Sequence, residues 1–124
     1  MSSDSEQYIL AIDLATSSTK SALVSLDGRV AATASEENPL ILLPHGGSEQ
    51  DPQQWWQAVK QTCQSLLTQT RIPADNIVAL SCTGQWSGTV AVDQKGEALT
   101  NAMTWMDSRG RPYVNAITRG SINI

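Results

Sequence analysis

A short apolar run that stops on a carboxylate constrains this chain more than any other feature. Residues 8–12 read Tyr8-Ile9-Leu10-Ala11-Ile12 and lead directly to Asp13. Alternation would mark a strand with one wet face, whereas a nearly continuous run of this length marks a strand covered on both faces. Asp13 therefore stands at a strand's carboxyl end. Residues 19–26 and 29–36 follow with partial two-residue alternation, and Asp27-Gly28 between them is a hairpin signal because glycine tolerates positive φ. The spacing predicts three strands in a meander.

Residues 38–50 contain Pro39, Pro44, Gly46 and Gly47, which support turns better than regular structure, so an irregular excursion is expected there. Asp51 can cap a helix with Pro52 at its first position and Gln54 completing a capping box. Trp55, Val59, Cys63, Leu66 and Leu67 then repeat at helical spacing, and the helix should end before Pro73. Residues 77–83 and 89–92 have strand character and flank Gly84-Gln85-Trp86-Ser87-Gly88, where two glycines permit a tight reversal. A turn at 94–97 leads to an extended segment reaching Trp105, and 111–119 is a helix candidate with Pro112 near its start.

The order β-β-β-α-β-β predicts an α/β domain whose helix covers one face of a mixed sheet. Ligands in such sheets sit at the carboxyl ends of strands, which draws notice to Asp13 and to the 84–88 turn. At 124 residues the chain fits one domain, with 1–7 a polar tail and 8–124 the domain itself. Its 8 Lys and Arg against 12 Asp and Glu give a net charge of −4 with no basic cluster, which argues against a nucleic-acid partner. The two cysteines, Cys63 and Cys82, lie in apolar stretches without metal-ligand spacing and read as reduced core thiols. The first residues lack a basic and apolar leader, and the longest purely aliphatic run, Leu40 to Leu43, cannot span a bilayer. A cytoplasmic protein without a membrane partner is expected.

Asp13-Leu14-Ala15-Thr16-Ser17-Ser18-Thr19-Lys20 joins a carboxylate, four consecutive hydroxyls and a lysine across the first turn. Hydroxyls and turn amides can donate to phosphate oxygens, lysine adds positive charge, and a carboxylate can hold Mg²⁺ directly or through water. From composition alone a Ser/Thr-rich hairpin loop with a solvated lysine is the better reading, and no GxxxxGK[ST] loop is present. In the second turn Trp86 could stack on an apolar ligand face while Gln85 and Ser87 bond polar groups; a plain hairpin turn is the competing reading. Trp105, Asp107 and Arg109 could line the same pocket, or form a surface ion pair beside a core tryptophan. Trp55 and Trp56 open an amphipathic helix and belong first to its packing, and His45, the one histidine, has no acid or nucleophile near it in sequence.

These motifs, taken in order, resemble the FGGY carbohydrate-kinase family. The stretch from Ile12 to Lys20 is similar to its opening phosphate motif, and Ser48-Glu49-Gln50-Asp51-Pro52 before Trp55-Trp56 to its first-helix entry. Gly84-Gln85-Trp86-Ser87-Gly88 resembles its sugar loop, and Trp105-Met106-Asp107-Ser108-Arg109 its W-x-D-x-R segment. The resemblance covers most of residues 8–111, nearest to xylulose kinases. It implies the N-terminal domain of an actin-like ATPase (RNase H-like) fold: a mixed sheet with a three-strand meander and covering helices. It further implies transfer of the ATP γ-phosphoryl group to a sugar hydroxyl, with ATP and Mg²⁺ as cofactors and a ketopentose such as xylulose or ribulose as substrate. Asp13, Thr16, Ser17, Ser18, Thr19 and Lys20 would meet phosphate, Asp13 would also serve Mg²⁺, and Gln85, Trp86, Ser87, Trp105, Asp107 and Arg109 would meet sugar.

The family's catalytic base and most of its adenosine pocket fall later in the chain, beyond Ile124, so no base is assigned here. A homodimer of the complete protein is an assembly to test. Ala15 stands where the family usually has glycine, so a left-handed backbone there would be strained. Trp86-Ser87 replaces the Met-His of typical xylulose kinases. Two other readings compete: a non-enzymatic actin-like half-domain that binds a sugar or a protein, and an RNase H-like nuclease. The nuclease needs converging carboxylates and a basic face, which this composition opposes.

Overall fold

The computed structural model describes residues 6–118. Strands β1 (Tyr8–Leu14), β2 (Ser18–Ser25) and β3 (Val30–Glu37) form the expected meander. β1 pairs antiparallel with β2, placing Asp13 opposite Lys20, and β2 pairs antiparallel with β3. The β2–β3 turn closes with the Gly28 amide donating to the Ser25 carbonyl at 2.9 Å, and Gly28 takes φ 88, the conformation its sequence position predicts.

Residues 38–50 are more regular than expected. They hold β4 (Ile41–Leu43), a 3₁₀ turn (Pro44–Gly46) and β5 (Gly47–Gln50), with Leu42 opposite Ser48. Proline and glycine fill the turn between these strands rather than dissolving them. β5 is joined on its other side by a two-residue strand, Ala102–Met103, so a second small sheet stands beside the first.

Helix α1 (Pro52–Thr70) starts as predicted: the Asp51 carboxylate accepts from the Gln53 amide at 2.9 Å with Pro52 in the first turn. Its buried residues are Ala58, Thr62 and Leu66; Leu66 belongs to the expected repeat, while Ala58 and Thr62 each stand one position before the expected Val59 and Cys63. Thr62 reads as polar in sequence, yet its hydroxyl bonds the buried Ser21 hydroxyl of β2 at 2.7 Å, which satisfies both groups where helix meets sheet. Tyr8, Leu23 and Leu66 form the core, with Leu10, Ala32 and Ala34 packed around them. Complete burial of Leu23 and Leu66 contributes about 2 kcal/mol each as an upper estimate.

Strand β6 (Ile77–Gly84) pairs parallel with β1, giving the order β3-β2-β1-β6. The sheet is mixed, as expected, but α1 covers it mainly over β2 and β3, and β6 is an edge strand. Cys82 is therefore exposed rather than a core thiol, while Cys63 is half-buried. Residues 89–92 form no strand of their own; Thr89 bridges Met103 and Val92 bridges Ala98. We label Ala102–Met103 β7 and the final helix, Arg111–Thr118, α2, whose expected end at Arg119 lies outside the described residues. Among the described residues no helix is long and apolar enough to cross a membrane.

Candidate active site

Two parallel neighbours in a sheet end on the same side, and this brings the two turns together. Asp13 and Leu14 of β1 lie in register with Thr83 and Gly84 of β6. The Gln85 amide donates to the Leu14 carbonyl at 2.8 Å, so the chain leaves β6 against the start of the first turn. Thr16 then bonds across the gap, its hydroxyl donating to Gln85 Oε1 at 3.2 Å and accepting from Trp105 Nε1 at 3.0 Å. Asp13, Thr16, Gln85, Trp86 and Trp105 line one cleft of about 410 Å³ together with Ala15 and Gly84. Trp86 is 84% exposed, so its indole is available to a ligand and contributes little to the core.

The other expected phosphate residues are placed differently. Ser17 turns to a second hollow shared with Asn38 and Met106. Ser18 closes the turn by accepting the Ala15 amide at its backbone carbonyl, 3.1 Å. Thr19 is completely buried and its hydroxyl donates to Asn38 Oδ1 at 3.0 Å, which removes it from the cleft and makes it a brace of the turn. Lys20 is exposed beside Asp13 on the sheet face opposite α1, where both border a broad hollow floored by Ala11 and Ala22. Ala15 does not take positive φ, so replacing glycine there strains nothing. In the second turn it is Ser87, at φ 53, and neither glycine, that adopts the left-handed conformation. Ser87 does not line the cleft described for its neighbours.

Asp107 and Arg109 pair with one another rather than standing free. Arg109 Nε donates to both Asp107 oxygens at 3.1 and 2.9 Å, and its Nη2 reaches Glu49 Oε1 at 2.6 Å. The Ser48 amide also donates to Asp107, at 2.9 Å. The Arg109 hydrogen bonds, aided by the Ser48 amide, hold the Asp107 carboxyl down at about 2; Arg109 is pushed above its ordinary value by the same bonds. Glu49 is lowered, first by Arg109 and then by Asn101. Ser48 and Thr104, both buried, join their hydroxyls at 2.7 Å, and the Ser108 amide bonds the Gly46 carbonyl at 2.9 Å. The segment carrying Trp105 is thereby fastened to β5, and the indole is aimed at Thr16.

Among the described residues no three His, Cys, Asp or Glu side chains gather into a metal site. Of the described residues that line the cleft, Asp13 is the one carboxylate. That donor set fits Mg²⁺, which keeps several waters and takes one or two carboxylates together with substrate phosphates. The residues that sequence reading missed are Gln50 and Asn38. Gln50 was legible only as part of a helix entry, and its contacts with Thr16 and Gln85 span 34 and 35 positions.

Residues 8–123 match the model of the FGGY family of carbohydrate kinases, N-terminal domain. The chain belongs to this family. It is 38% identical over 112 residues to a xylulose kinase of Bacillus subtilis (strain 168), covering 90% of this chain and 22% of that protein. A glycerol kinase of Acidovorax ebreus (strain TPSY) is 36% identical over 106 residues, covering 85% of this chain and 21% of its own length. In solved structures, the ligand-bound xylulose kinase from Lactobacillus acidophilus superposes with a TM-score of 0.82 at 31% identity, covering 92% of this chain and 23% of that one. The gluconate kinase from the same organism gives 0.83 at 32% identity, covering 94% and 23%. The architecture is thus that of FGGY sugar kinases, an actin-like ATPase fold. The FGGY segment spans about a fifth of the length of the relatives it matches.

Proposed function

We propose that this segment forms the phosphate and sugar wall of an ATP-dependent carbohydrate kinase that phosphorylates a hydroxyl of a ketopentose such as xylulose or ribulose. The carrying observation is the shared cleft: a carboxylate, a hydroxyl-bearing turn and two exposed indoles converge where two parallel strands end. Family membership supports the reaction class, and the xylulose kinase relative supports the substrate class.

Asp13 would hold Mg²⁺ through water, and the bound ion would neutralise charge on the transferring phosphoryl group. Thr16 and the turn amides donate to phosphate oxygens, Lys20 adds positive charge from the neighbouring strand, and Ser17 and Ser18 complete the turn's rim. Thr19 supports that turn from beneath through Asn38. Trp86 and Trp105 offer faces to the sugar's C–H surface, while Gln85 offers hydrogen bonds to its hydroxyls and Ser87, at φ 53, turns the backbone beside them from outside the cleft. Asp107 and Arg109 act on the sugar by holding Trp105 in place. Catalysis of this kind rests on positioning and charge neutralisation more than on covalent chemistry. No residue of this segment is assigned as the base.

The test is a coupled ADP-release assay of the complete protein with Mg²⁺-ATP and a panel of D-xylulose, D- and L-ribulose, glycerol and gluconate. Turnover with a ketopentose at the highest kcat/KM supports the proposal. Preference for glycerol or gluconate overturns the substrate class, and no turnover with any of them overturns the reaction.

A further inference from the structure

Gln50 ends β5 outside the cleft, and its side chain is 1% exposed. Four polar groups surround its amide, and their chemistry leaves one orientation. Trp55 Nε1 is a donor only and lies 3.3 Å from Gln50 Oε1, so that atom is the oxygen. The carbonyls of Thr16 and Asn38 are acceptors only, 2.7 and 3.1 Å from Gln50 Nε2. A buried amide reversed here would face carbonyl with oxygen and indole N–H with NH₂, leaving groups on both sides unsatisfied.

That orientation passes to the next residue. Gln50 Oε1 also accepts from Gln85 Nε2 at 2.9 Å, so Gln85 must present its oxygen to Thr16. The Thr16 hydroxyl then gives its single proton to Gln85 Oε1 and receives the Trp105 N–H. Donor to acceptor, the bonds thus run from Trp105 through Thr16 and Gln85 to Gln50 Oε1, where the bond from Trp55 of the first helix also ends.

We infer that Gln50 is a positioning residue that sets the hydrogen-bond polarity of the Thr16 and Gln85 turns and so couples ligand binding at one to binding at the other. A phosphate oxygen that accepts the Thr16 proton takes it from Gln85 Oε1. The freed oxygen is then an acceptor without its donor, and a sugar hydroxyl satisfies it. Whichever ligand binds first breaks the Thr16–Gln85 bond, and the second binds without that cost, which is positive coupling by linkage. The identity of the two ligands rests on the kinase reading; the hydrogen-bond chain does not.

Two measurements on the complete protein test this, with AMP-PNP plus Mg²⁺ as the phosphate probe and D-xylulose as the sugar probe. In wild type, saturating AMP-PNP should tighten D-xylulose binding about fivefold or more, and Gln50→Met should reduce that factor to below about twofold. Each ligand's affinity measured alone should change less than the coupling does, a separation that a merely structural loss would not give. Unchanged coupling in a folded Gln50→Met protein overturns the inference. In the second measurement, the Trp105 indole ¹H–¹⁵N resonance is assigned by Trp105→Phe and followed in Gln50→Met without ligand. It should shift although Gln50 and Trp105 share no hydrogen bond, and an unmoved resonance overturns the chain of bonds. Should Gln50→Met not fold, Gln85→Glu interrupts the same chain at a half-buried site and must move the same resonance. If wild type binds neither probe, the substrate reading fails, and the Trp105 resonance alone decides the role of Gln50.

Discussion

Replacing Gly46 with alanine should loosen the segment that carries Trp105, through two separable effects. Gly46 sits at φ 82, and the alanine methyl would fall 2.1 Å from the Ser108 hydroxyl oxygen. The left-handed backbone costs an L-residue about 1–2 kcal/mol. The overlap must be relieved by moving Ser108, whose amide bonds the Gly46 carbonyl; a displaced rotamer with a weakened hydrogen bond adds about 1–2 kcal/mol more. The sum is about 2–4 kcal/mol. Ser108→Ala removes the clashing oxygen and leaves the Ser108 Cβ 3.5 Å from the new methyl, an ordinary contact. The double variant Gly46→Ala/Ser108→Ala should therefore recover the steric share and retain the backbone share. Denaturant unfolding of the four proteins gives the coupling as a double-mutant cycle, expected at about 1–2 kcal/mol. Hydrogen exchange at the Ser108 amide should accelerate in Gly46→Ala and slow again in the double variant. Additive effects would refute the close approach of the two residues, and a neutral Gly46→Ala would refute the need for glycine as well.

Asp13→Asn should lower phosphoryl transfer about tenfold to a hundredfold while leaving nucleotide-free sugar binding intact; equal losses in both would defeat the division of roles. Trp86→Ala should weaken sugar binding by an aromatic contact, on the order of one to a few kcal/mol or roughly tenfold and upward, with ATP binding little changed, as read by calorimetric titration. Because Asp107 titrates lower folded than unfolded, the stability it contributes is present above the ordinary carboxylate range. It should be lost as pH falls from that range towards about 2, and Asp107→Asn should flatten this part of the acid unfolding curve.

The elements that sequence made legible are those whose signal is local. The meander follows from a two-residue period and Asp27-Gly28, and α1 from its cap and apolar repeat. β4 and β5 escaped because both are short, and β5 is stabilised by a partner distant in sequence: it borrows Ala102–Met103, some fifty residues on. The residues 89–92 erred the other way, since apolar character there leads only to single bridges and β6 finds its partner in β1 instead. The site shows the same limit. Both turns could be recognised from their residues, but that they share a cleft depends on β1 and β6 being parallel neighbours. That Thr19 faces inward while Lys20 faces out follows from strand alternation, which a motif read as a string of hydroxyls conceals.

Three separate pieces of backbone supply the cleft: a hairpin turn, the exit of an edge strand, and a loop held to the second sheet. No large apolar cluster binds them, since the core lies under α1, on the other side of Thr19 and Ser21. Amide and hydroxyl side chains do so instead, and such bonds have direction where packing has none. This favours a site whose alignment is specific but shallow in energy, each bond contributing about 1 kcal/mol net. Losses from single substitutions in Gln50, Thr16 and Gln85 should then be strongly non-additive, because breaking any one member already releases the next.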